Sequence, residues 1–175
     1  MEQHRSEKVA ANVQVVDGDL FEIDADAIVN AWNRNIIPWW LLIPGGVSGQ
    51  IKKRGGVAPF RELARHGPMN VGDAVVTGGG RLGRPIIHVA GLNMRWRATS
   101  EGVAACTRNA VAVALHEGFG TIAMPVIGAG HGGLDEEIAL QAMLGVLAEL
   151  KESGAQPDGP EVLDVVVVRW SRTRQ

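Results

Sequence analysis

Two glycine-rich stretches carry the first chemical signal in this sequence of 175 residues. One of them, "IGAGHGGLDEE" (127–137), is built mostly of small residues and leads into a predicted helix that begins near Leu134. The backbone N–H groups of such a loop can converge on an anion, and the partial positive charge of a helix N-terminus adds to the attraction. A flexible strand-to-helix turn is the alternative for this loop taken alone. It is neither a Walker sequence nor a GxGxxG fingerprint, which disfavours a nucleotide triphosphatase or a dehydrogenase.

The second stretch, "PGGVSGQIKK" (44–53), also brings glycines to the start of a predicted helix. Two loops of this kind after adjacent strands could hold the two phosphates of a diphosphate from opposite sides. Twenty-three glycines in the chain are about twice the usual ~7% share, and they cluster in these loops and at 78–83. The sequence therefore directs attention to an anionic ligand at the two loops.

Polar side chains at the ends of two predicted strands suit other parts of a nucleotide-like ligand. Asn30 and Asn33 flank Trp32, and asparagine offers both a donor and an acceptor to the hydroxyls of a sugar. Asp19 ends the first strand and could accept a hydrogen bond from an exocyclic amine. In isolation, the alternative roles of turn former and helix cap fit these residues at least as well.

The elements that must position these residues alternate between short apolar runs and helical patterns. The predicted strands span 12–20, 26–32, 73–79, 84–92, 121–130 and 161–170, and the predicted helices span 46–56, 58–67, 101–117 and 134–153, with a surface loop at 154–160. Continuous apolar strands such as "TIAMPVI" and "LDVVVV" are typical of a sheet covered on both faces. The pattern predicts an α/β fold, a three-layer α/β/α domain with a central mixed, mostly parallel sheet of about six strands. Ligands of such sheets lie at the carboxyl ends of the strands.

Composition limits the class of partner. The chain is 46% hydrophobic and 21% charged with a formal net charge of -2, which gives no overall electrostatic argument for nucleic acid or a membrane. The charged start of the chain lacks the apolar centre of a signal peptide, and no window resembles a membrane span. The single cysteine, Cys106, excludes an internal disulfide and fits a reducing, cytoplasmic setting. We expect one domain over 1–175, with 1–11 as a flexible N-terminal segment. The five histidines show no metal-ligand spacing, so we expect no metal and no cofactor.

Five segments, taken in order, resemble a known family. The succession of "GDL" (18–20), "DAIVNAWN" (26–33), "GGVSGQI" (45–51), "IIHVAG" (86–91) and "IAMPVIGAGHGG" (122–133) is similar to that of a macrodomain, a module that binds ADP-ribose. The resemblance spans about residues 12 to 170. Its most specific parts are the "VNAxN" pattern and the strand that runs into a glycine loop.

The resemblance implies a role for each matching position. Asp19 and Leu20 would contact the adenine of ADP-ribose. Asn33 would hold the distal ribose, and Asn30 would mainly shape the site. The first phosphate loop would comprise Gly45, Gly46, Val47 and Ser48. The second would comprise Gly128, Ala129, Gly130, His131 and Gly132.

The chain also departs from the hydrolytic members of the best-known branch. Those members read roughly "GGGVDGAIH" where this chain reads "PGGVSGQIK", so Ser48 stands at the position of their catalytic aspartate and Lys52 at that of a histidine. Gly132 stands where that branch carries an aromatic residue against the distal ribose. The apolar run "IIPWWLLIP" (36–44) replaces a shorter, more polar connection. We interpret the chain as a divergent, bacterial-type branch in which the aspartate mechanism cannot be transferred.

Two functions follow as expectations from the resemblance. The first is a hydrolase that removes ADP-ribose from modified proteins or another acceptor, with Asn33 holding the ribose and Ser48 placing a water. Another macrodomain branch has an aspartate just after the second loop, which implies a catalytic role for Asp135, although capping of the following helix is its ordinary alternative. His131 is expected to wall the pocket. The second function is a non-catalytic reader of ADP-ribose or a related nucleotide, which the missing aspartate favours.

The apolar run between the two polar ends of the first loop needs a function of its own. Part of it is expected to pack as an apolar anchor. We also predict that Trp39 or Trp40, or both, wall the distal ribose and supply the bulk that Gly132 lacks.

Overall fold

A six-stranded sheet forms the centre of the computed structural model, which describes residues 10–41, 45–153 and 162–170. The strands are β1 (Ala10–Gly18), β2 (Ala27–Trp32), β3 (Ala74–Thr77), β4 (Ile86–Ala90), β5 (Thr121–Pro125) and β6 (Val162–Trp170). Their order across the sheet is β1-β6-β5-β2-β4-β3. All neighbours pair in parallel except β3, which pairs antiparallel with β4. The predicted α/β fold with a mixed, mostly parallel sheet is confirmed.

Both faces of the sheet are buried, as the continuous apolar strands predict. Along β2, Ala27 and Val29 belong to one apolar cluster while Ile28 belongs to the other, and all three side chains are fully buried. This alternation follows from the two-residue period of a strand. The central strands therefore form two cores, one on each side of the sheet.

Four helices cover these two faces. They are α1 (Gly46–Gly55), α2 (Ala58–His66), α3 (Ser100–His116) and α4 (Glu136–Ser153). Helices α1 and α2 contribute Ile51, Phe60 and Leu63 to one core, whereas α3 and α4 pack on the other. Cys106 of α3 is fully buried there, and burial raises the pKa of its thiol to about 12. The thiol is thus an inert packing group, in keeping with its position in a helical pattern.

The element boundaries differ from the predicted ones mainly at the ligand-facing ends of strands. β5 ends at Pro125, so 126–130 belong to the loop that follows it rather than to the strand. β1 begins at Ala10, two residues inside the predicted flexible segment, and it ends at Gly18 before a 3₁₀ turn at Leu20–Glu22. Residues 1–9 of that segment and the predicted loop 154–160 lie outside the described residues.

Candidate functional site

A cavity of about 230 Å³ lies where the carboxyl ends of β2, β4 and β5 meet. Its walls come from the loops after these three strands and from the start of α1. The lining residues are Ala31, Trp32, Asn33, Gly45, Gly46, Val47, Ser48, Gly91, Leu92, Trp96, Pro125, Val126, Gly128, Gly130, His131 and Gly132. Residues of both glycine-rich loops line this one space, which lies beyond the neighbouring strands β2 and β5. That the two loops hold the two phosphates of a diphosphate stays a prediction.

The first loop presents an open helix end to the cavity. Gly45 is the N-cap of α1 and supplies no capping side chain, so the first N–H groups of the helix are not occupied by a capping oxygen. Gly46 has φ +55, a backbone conformation that favours glycine. The positive end of the α1 dipole thus lies at the cavity wall.

The second loop packs closely against the segment that contains Ala98. A Cβ on Gly128 or Gly132 would lie 2.7 Å from the Cβ of Ala98, so both positions require glycine. Gly130 differs, because a Cβ there meets nothing within 4 Å. A Cβ on Gly45 would lie 2.5 Å from the His131 ring, so His131 closes the gap between the two loops. Ala129 does not line the cavity, and its N–H donates to the carbonyl of Val126.

The helix that follows the second loop, α4, is capped at its N-terminus by the side chain of Asp135. Asp135 Oδ1 accepts hydrogen bonds from the N–H groups of Glu137 at 3.0 Å and Ile138 at 3.1 Å, which is the geometry of a helix N-cap. Asp135 is exposed and does not line the cavity. Its alternative role as a cap is therefore the one observed, and the cavity wall receives no carboxylate from it.

Behind Ser48, a line of buried polar side chains crosses the sheet. Ser48 Oγ donates to Asn30 Oδ1 at 2.7 Å, and Asn30 Nδ2 lies 3.1 Å from His88 Nδ1. His88 Nε2 in turn lies 2.9 Å from Thr77 Oγ1. Asn30, His88 and Thr77 are at most 2% exposed, so Asn30 shapes the site, as the resemblance implied, and makes no direct wall of the cavity. Burial lowers the pKa of His88 to about 3, which keeps its imidazole neutral.

His88 and Thr77 were not predicted from the sequence as parts of the site. The available signal was a histidine within "IIHVAG", an otherwise apolar strand that is fully buried. A polar group in that position needs hydrogen-bond partners. Nothing in the spacing of the sequence identifies Thr77 as one of them.

Asn33 reaches the cavity while also shaping the turn that follows β2. Its side-chain oxygen accepts from the Asn35 N–H at 2.7 Å, which is the turn-forming role given as its alternative. The side chain is 9% exposed and lines the cavity. The turn-forming role of Asn33 is thus observed, while its contact with a ribose stays a prediction.

Asp19 and Leu20 lie outside the cavity lining. Asp19 caps the 3₁₀ turn through the Phe21 N–H at 2.9 Å, and it pairs with Arg54 at 2.7 Å. The Leu20 side chain is 1% exposed and packs in the core. The predicted contact of these two residues with an adenine stays a prediction.

The tryptophans of the apolar run do not wall the cavity. Trp39 is partly buried and lies under the Lys52 ammonium and the Arg61 guanidinium, at 5.7 and 5.9 Å from its ring centroid. Trp40 is 64% exposed. Neither ring is among the residues that line this cavity, and the prediction that one of them walls the distal ribose stays a prediction. Residues 42–44 of that run lie outside the described chain.

Trp96 is a tryptophan that does line the cavity. It comes from the turn after β4, and it lines both the main cavity and a smaller one of about 80 Å³ beside it. Trp96 has φ +59, an uncommon value for a large side chain. Asn93 holds this turn with its side-chain oxygen, which accepts from the N–H groups of Arg95 and Arg97. No periodicity in "NMRWRATS" marks this tryptophan in advance.

Within 10–41, 45–153 and 162–170, no group of three or more His, Cys, Asp or Glu side chains is arranged to hold a metal ion. No helix in this part of the chain has both the length and the apolar character needed to cross a membrane.

Comparison with known proteins gives a consistent family. The family model described as "Macro domain" matches residues 29–143. A macro domain-containing protein of Streptomyces griseus is 37% identical over 156 residues, covering 84% of this chain and 85% of that protein. A Pantoea vagans protein named O-acetyl-ADP-ribose deacetylase 1 is 33% identical over 144 residues, covering 77% of this chain and 80% of its own length.

Solved structures have the same fold. A variant of the Oceanobacillus iheyensis macrodomain, solved with ADPR, has a TM-score of 0.75 at 25% identity and covers 94% of this chain and 89% of its own. The Trypanosoma brucei macrodomain in complex with ADP-ribose has a TM-score of 0.74 at 23% identity. The match covers 90% of this chain but only 63% of that one.

Proposed function

This chain belongs to the Macro domain family, and on that premise we propose that its cavity binds ADP-ribose and that the protein hydrolyses the bond linking ADP-ribose to a modified protein or other acceptor. The observation that carries the proposal is the meeting of two glycine-rich loops over one cavity, with the ring of His131 against Gly45. The names of the Pantoea and Oceanobacillus relatives point to the same ligand.

The diphosphate of the ligand would lie between the two loops. The uncapped N-terminus of α1 offers N–H donors and a partial positive charge from one side. Gly130 leaves open space on the other side, so the backbone of the second loop can approach the phosphates closely. Both interactions come from the backbone, so they can bind an anion although the net charge of the protein is -2.

The distal ribose would lie toward Asn33, Ser48 and Trp96. Asn33 has an amide that can bond a sugar hydroxyl, and Trp96 offers an aromatic surface at the cavity wall. The adenine would extend toward Asp19 and Leu20, at the end of β1. ADP-ribosylated proteins are accordingly the partners that we propose.

Hydrolysis requires stabilisation of positive charge at the anomeric carbon and a correctly placed water. The bound diphosphate itself can provide negative charge near that carbon and help to orient the water. Ser48 is 7% exposed and lines the cavity, so its oxygen is available to hold a water although it is not a base. His131 is the one titratable side chain among the residues described as lining the cavity.

A non-catalytic reader of ADP-ribose is the second candidate function. It is favoured by the position of Asp135, whose carboxylate caps α4 outside the cavity lining. The described lining then holds no carboxylate, and His131 is the one side chain there that could act as a general base for a water. Binding without turnover is the expected behaviour of such a module.

Two measurements on the purified protein separate these functions. Calorimetry with ADP-ribose should show one site per chain, and incubation with a mono-ADP-ribosylated protein should release ADP-ribose. Binding without release at high protein concentration would overturn the hydrolase and support the reader. Absence of binding would overturn both.

Gly130→Val tests the position of the ligand. A Cβ added at Gly130 meets no neighbour within 4 Å, so the protein should fold while the side chain obstructs the phosphate seat. We expect ADP-ribose affinity to fall at least 100-fold, about 2.7 kcal/mol. Gly145→Val is the matched control, because Gly145 is exposed on α4 and a Cβ there also meets nothing. Equal affinity of the two variants would contradict the proposed seat.

A further inference from the structure

The buried polar line behind Ser48 has one end that can only accept a hydrogen bond. Thr77 Oγ1 donates to the backbone carbonyl of Gly78 at 3.1 Å, and this uses its single proton. Thr77 must then accept from His88 Nε2, at 2.9 Å. The imidazole therefore carries its proton on Nε2.

The state of His88 sets the direction of the next two hydrogen bonds. The fully buried imidazole is neutral, because burial lowers its pKa to about 3, so its Nδ1 is an acceptor. Asn30 must turn its amide nitrogen to that atom, at 3.1 Å, and its amide oxygen to Ser48. Residues 30 and 88 are direct partners in the β2–β4 register, which holds this pair in place.

The Ser48 hydroxyl consequently donates its proton to a group inside the protein. Its hydroxyl donates to Asn30 Oδ1 at 2.7 Å, and the other oxygen nearby, the Ala31 carbonyl at 3.5 Å, is also an acceptor. A serine oxygen has two lone pairs besides its proton. What Ser48 can offer to the cavity is therefore lone pairs and no proton.

We propose that Thr77 and His88 are positioning residues that, through Asn30, hold Ser48 as a hydrogen-bond acceptor toward the cavity. The group that meets Ser48 must then be a donor, either a hydroxyl of the distal ribose or a water. This inference rests on the proposed function for the identity of the ligand, but the polarity of the line rests only on the hydrogen bonds and on the burial of His88. Ser48 acts neither as a base nor as an activated nucleophile, since its proton is held by the amide oxygen of Asn30.

The tautomer of His88 tests the polarity directly. Nitrogen-15 NMR of the imidazole in the free protein at neutral pH should show a protonated Nε2 and a bare Nδ1. A proton on Nδ1, or a charged ring, would overturn the proposal. This measurement needs no ligand, so it decides the polarity even if ADP-ribose does not bind and the proposed function fails.

Thr77→Val tests the consequence for the ligand. Valine keeps the shape but cannot accept from Nε2–H, so the proton should move to Nδ1, the Asn30 amide should turn, and Ser48 should become a donor. We expect ADP-ribose to bind 3- to 10-fold more weakly, while ADP, which lacks the distal ribose, binds within twofold of wild type. Thr77→Ser should restore wild-type affinity.

A merely structural role would give a different result. Loss of affinity for ADP-ribose and ADP alike, or no loss for either, would overturn the positioning role. Thr107→Val is the matched control, because Thr107 is equally buried and bonds only within α3, to the Val103 carbonyl. Its affinities for both ligands should equal those of wild type.

Discussion

The two glycine-rich loops look alike in sequence, but each leads into a helix whose N-terminal N–H groups have different partners. α1 begins at Gly46 without a capping side chain, and its end is open to the cavity. α4 begins at Glu136 with the Asp135 carboxylate already bonded to its N–H groups. The Asp135 carboxylate accepts hydrogen bonds from the first N–H groups of α4, and the phosphate of the ligand is proposed to do the same at α1.

A helix N-terminus after a glycine loop is therefore not enough to define an anion site. The α4 dipole was expected to take part in phosphate binding, whereas the first turn of α4 already has the Asp135 carboxylate bonded to it. The second loop would contribute through its close backbone and through His131, and α1 through its open end.

Gly45→Asp should make α1 resemble α4. Gly45 has extended backbone angles, φ -95 and ψ -177, which aspartate adopts without strain, and the His131 ring it would meet is an exposed side chain that can turn. The carboxylate would occupy the α1 donors and repel the diphosphate, so we expect at least a 100-fold loss of ADP-ribose affinity, about 2.7 kcal/mol, by calorimetry. Gly45→Asn has the same size without the charge and should lose less. Equal losses would show that bulk, not charge, excludes the ligand.

The burial of His88 should make the stability of the protein depend on pH. Above pH 6.5, His88 is neutral in both the folded and the unfolded chain; between pH 6.5 and about 3, only the unfolded chain takes up the proton. The free energy of unfolding should therefore fall as pH drops through this window, with a contribution from His88 of up to about 1.4 kcal/mol per pH unit. Urea unfolding of wild type and His88→Gln across pH 4 to 7 measures it. Parallel pH profiles would mean that His88 titrates in the folded protein.

Trp96→Ala should weaken ligand binding more than it lowers the stability of the fold. Its ring lines the cavity and is 45% exposed, so a stacked or edge contact with the ligand is expected. We predict a 5- to 10-fold loss of ADP-ribose affinity, about 1 to 1.4 kcal/mol. Trp40→Ala, 64% exposed and outside the cavity lining, should bind as wild type does. The reverse ranking would restore the original assignment of the wall to the apolar run.

Asp135→Ala should change stability rather than function. Loss of the cap should lower the free energy of unfolding by about 1 kcal/mol, while binding and turnover stay within twofold. Asp135→Ser keeps a capping oxygen without the carboxylate and should recover most of the stability. If both variants lost turnover tenfold, Asp135 would have the catalytic role that the resemblance implied.

Much of the fold follows from patterns in the sequence. Apolar strands such as "TIAMPVI", separated by helical segments, predicted the two-sided sheet, and Gly55–Gly56 and Gly67 marked the ends of α1 and α2. The convergence of the two loops followed from the rule that the carboxyl ends of parallel strands share one edge. These are local or topological signals, and one sequence is sufficient to read them.

The residues that the sequence did not place at the cavity are those whose position depends on three-dimensional direction. Trp39 and Trp40 follow β2 closely in sequence but do not line the cavity, whereas Trp96 reaches it from β4 through a turn with an uncommon backbone angle. His88 and Thr77 join the site only because β2, β4 and β3 are neighbours in the sheet. Spacing along the chain does not encode that order of strands.

Amide mapping of the ADP-ribose complex by NMR would show directly which loop and which helix end hold the ligand. During a titration, the N–H signals of 45–48 and 128–132 should shift, while those of Glu137 and Ile138, which are bonded to Asp135, should stay in place. Shifts centred on the start of α4 with none at the start of α1, or shifts away from both loops, would contradict the account.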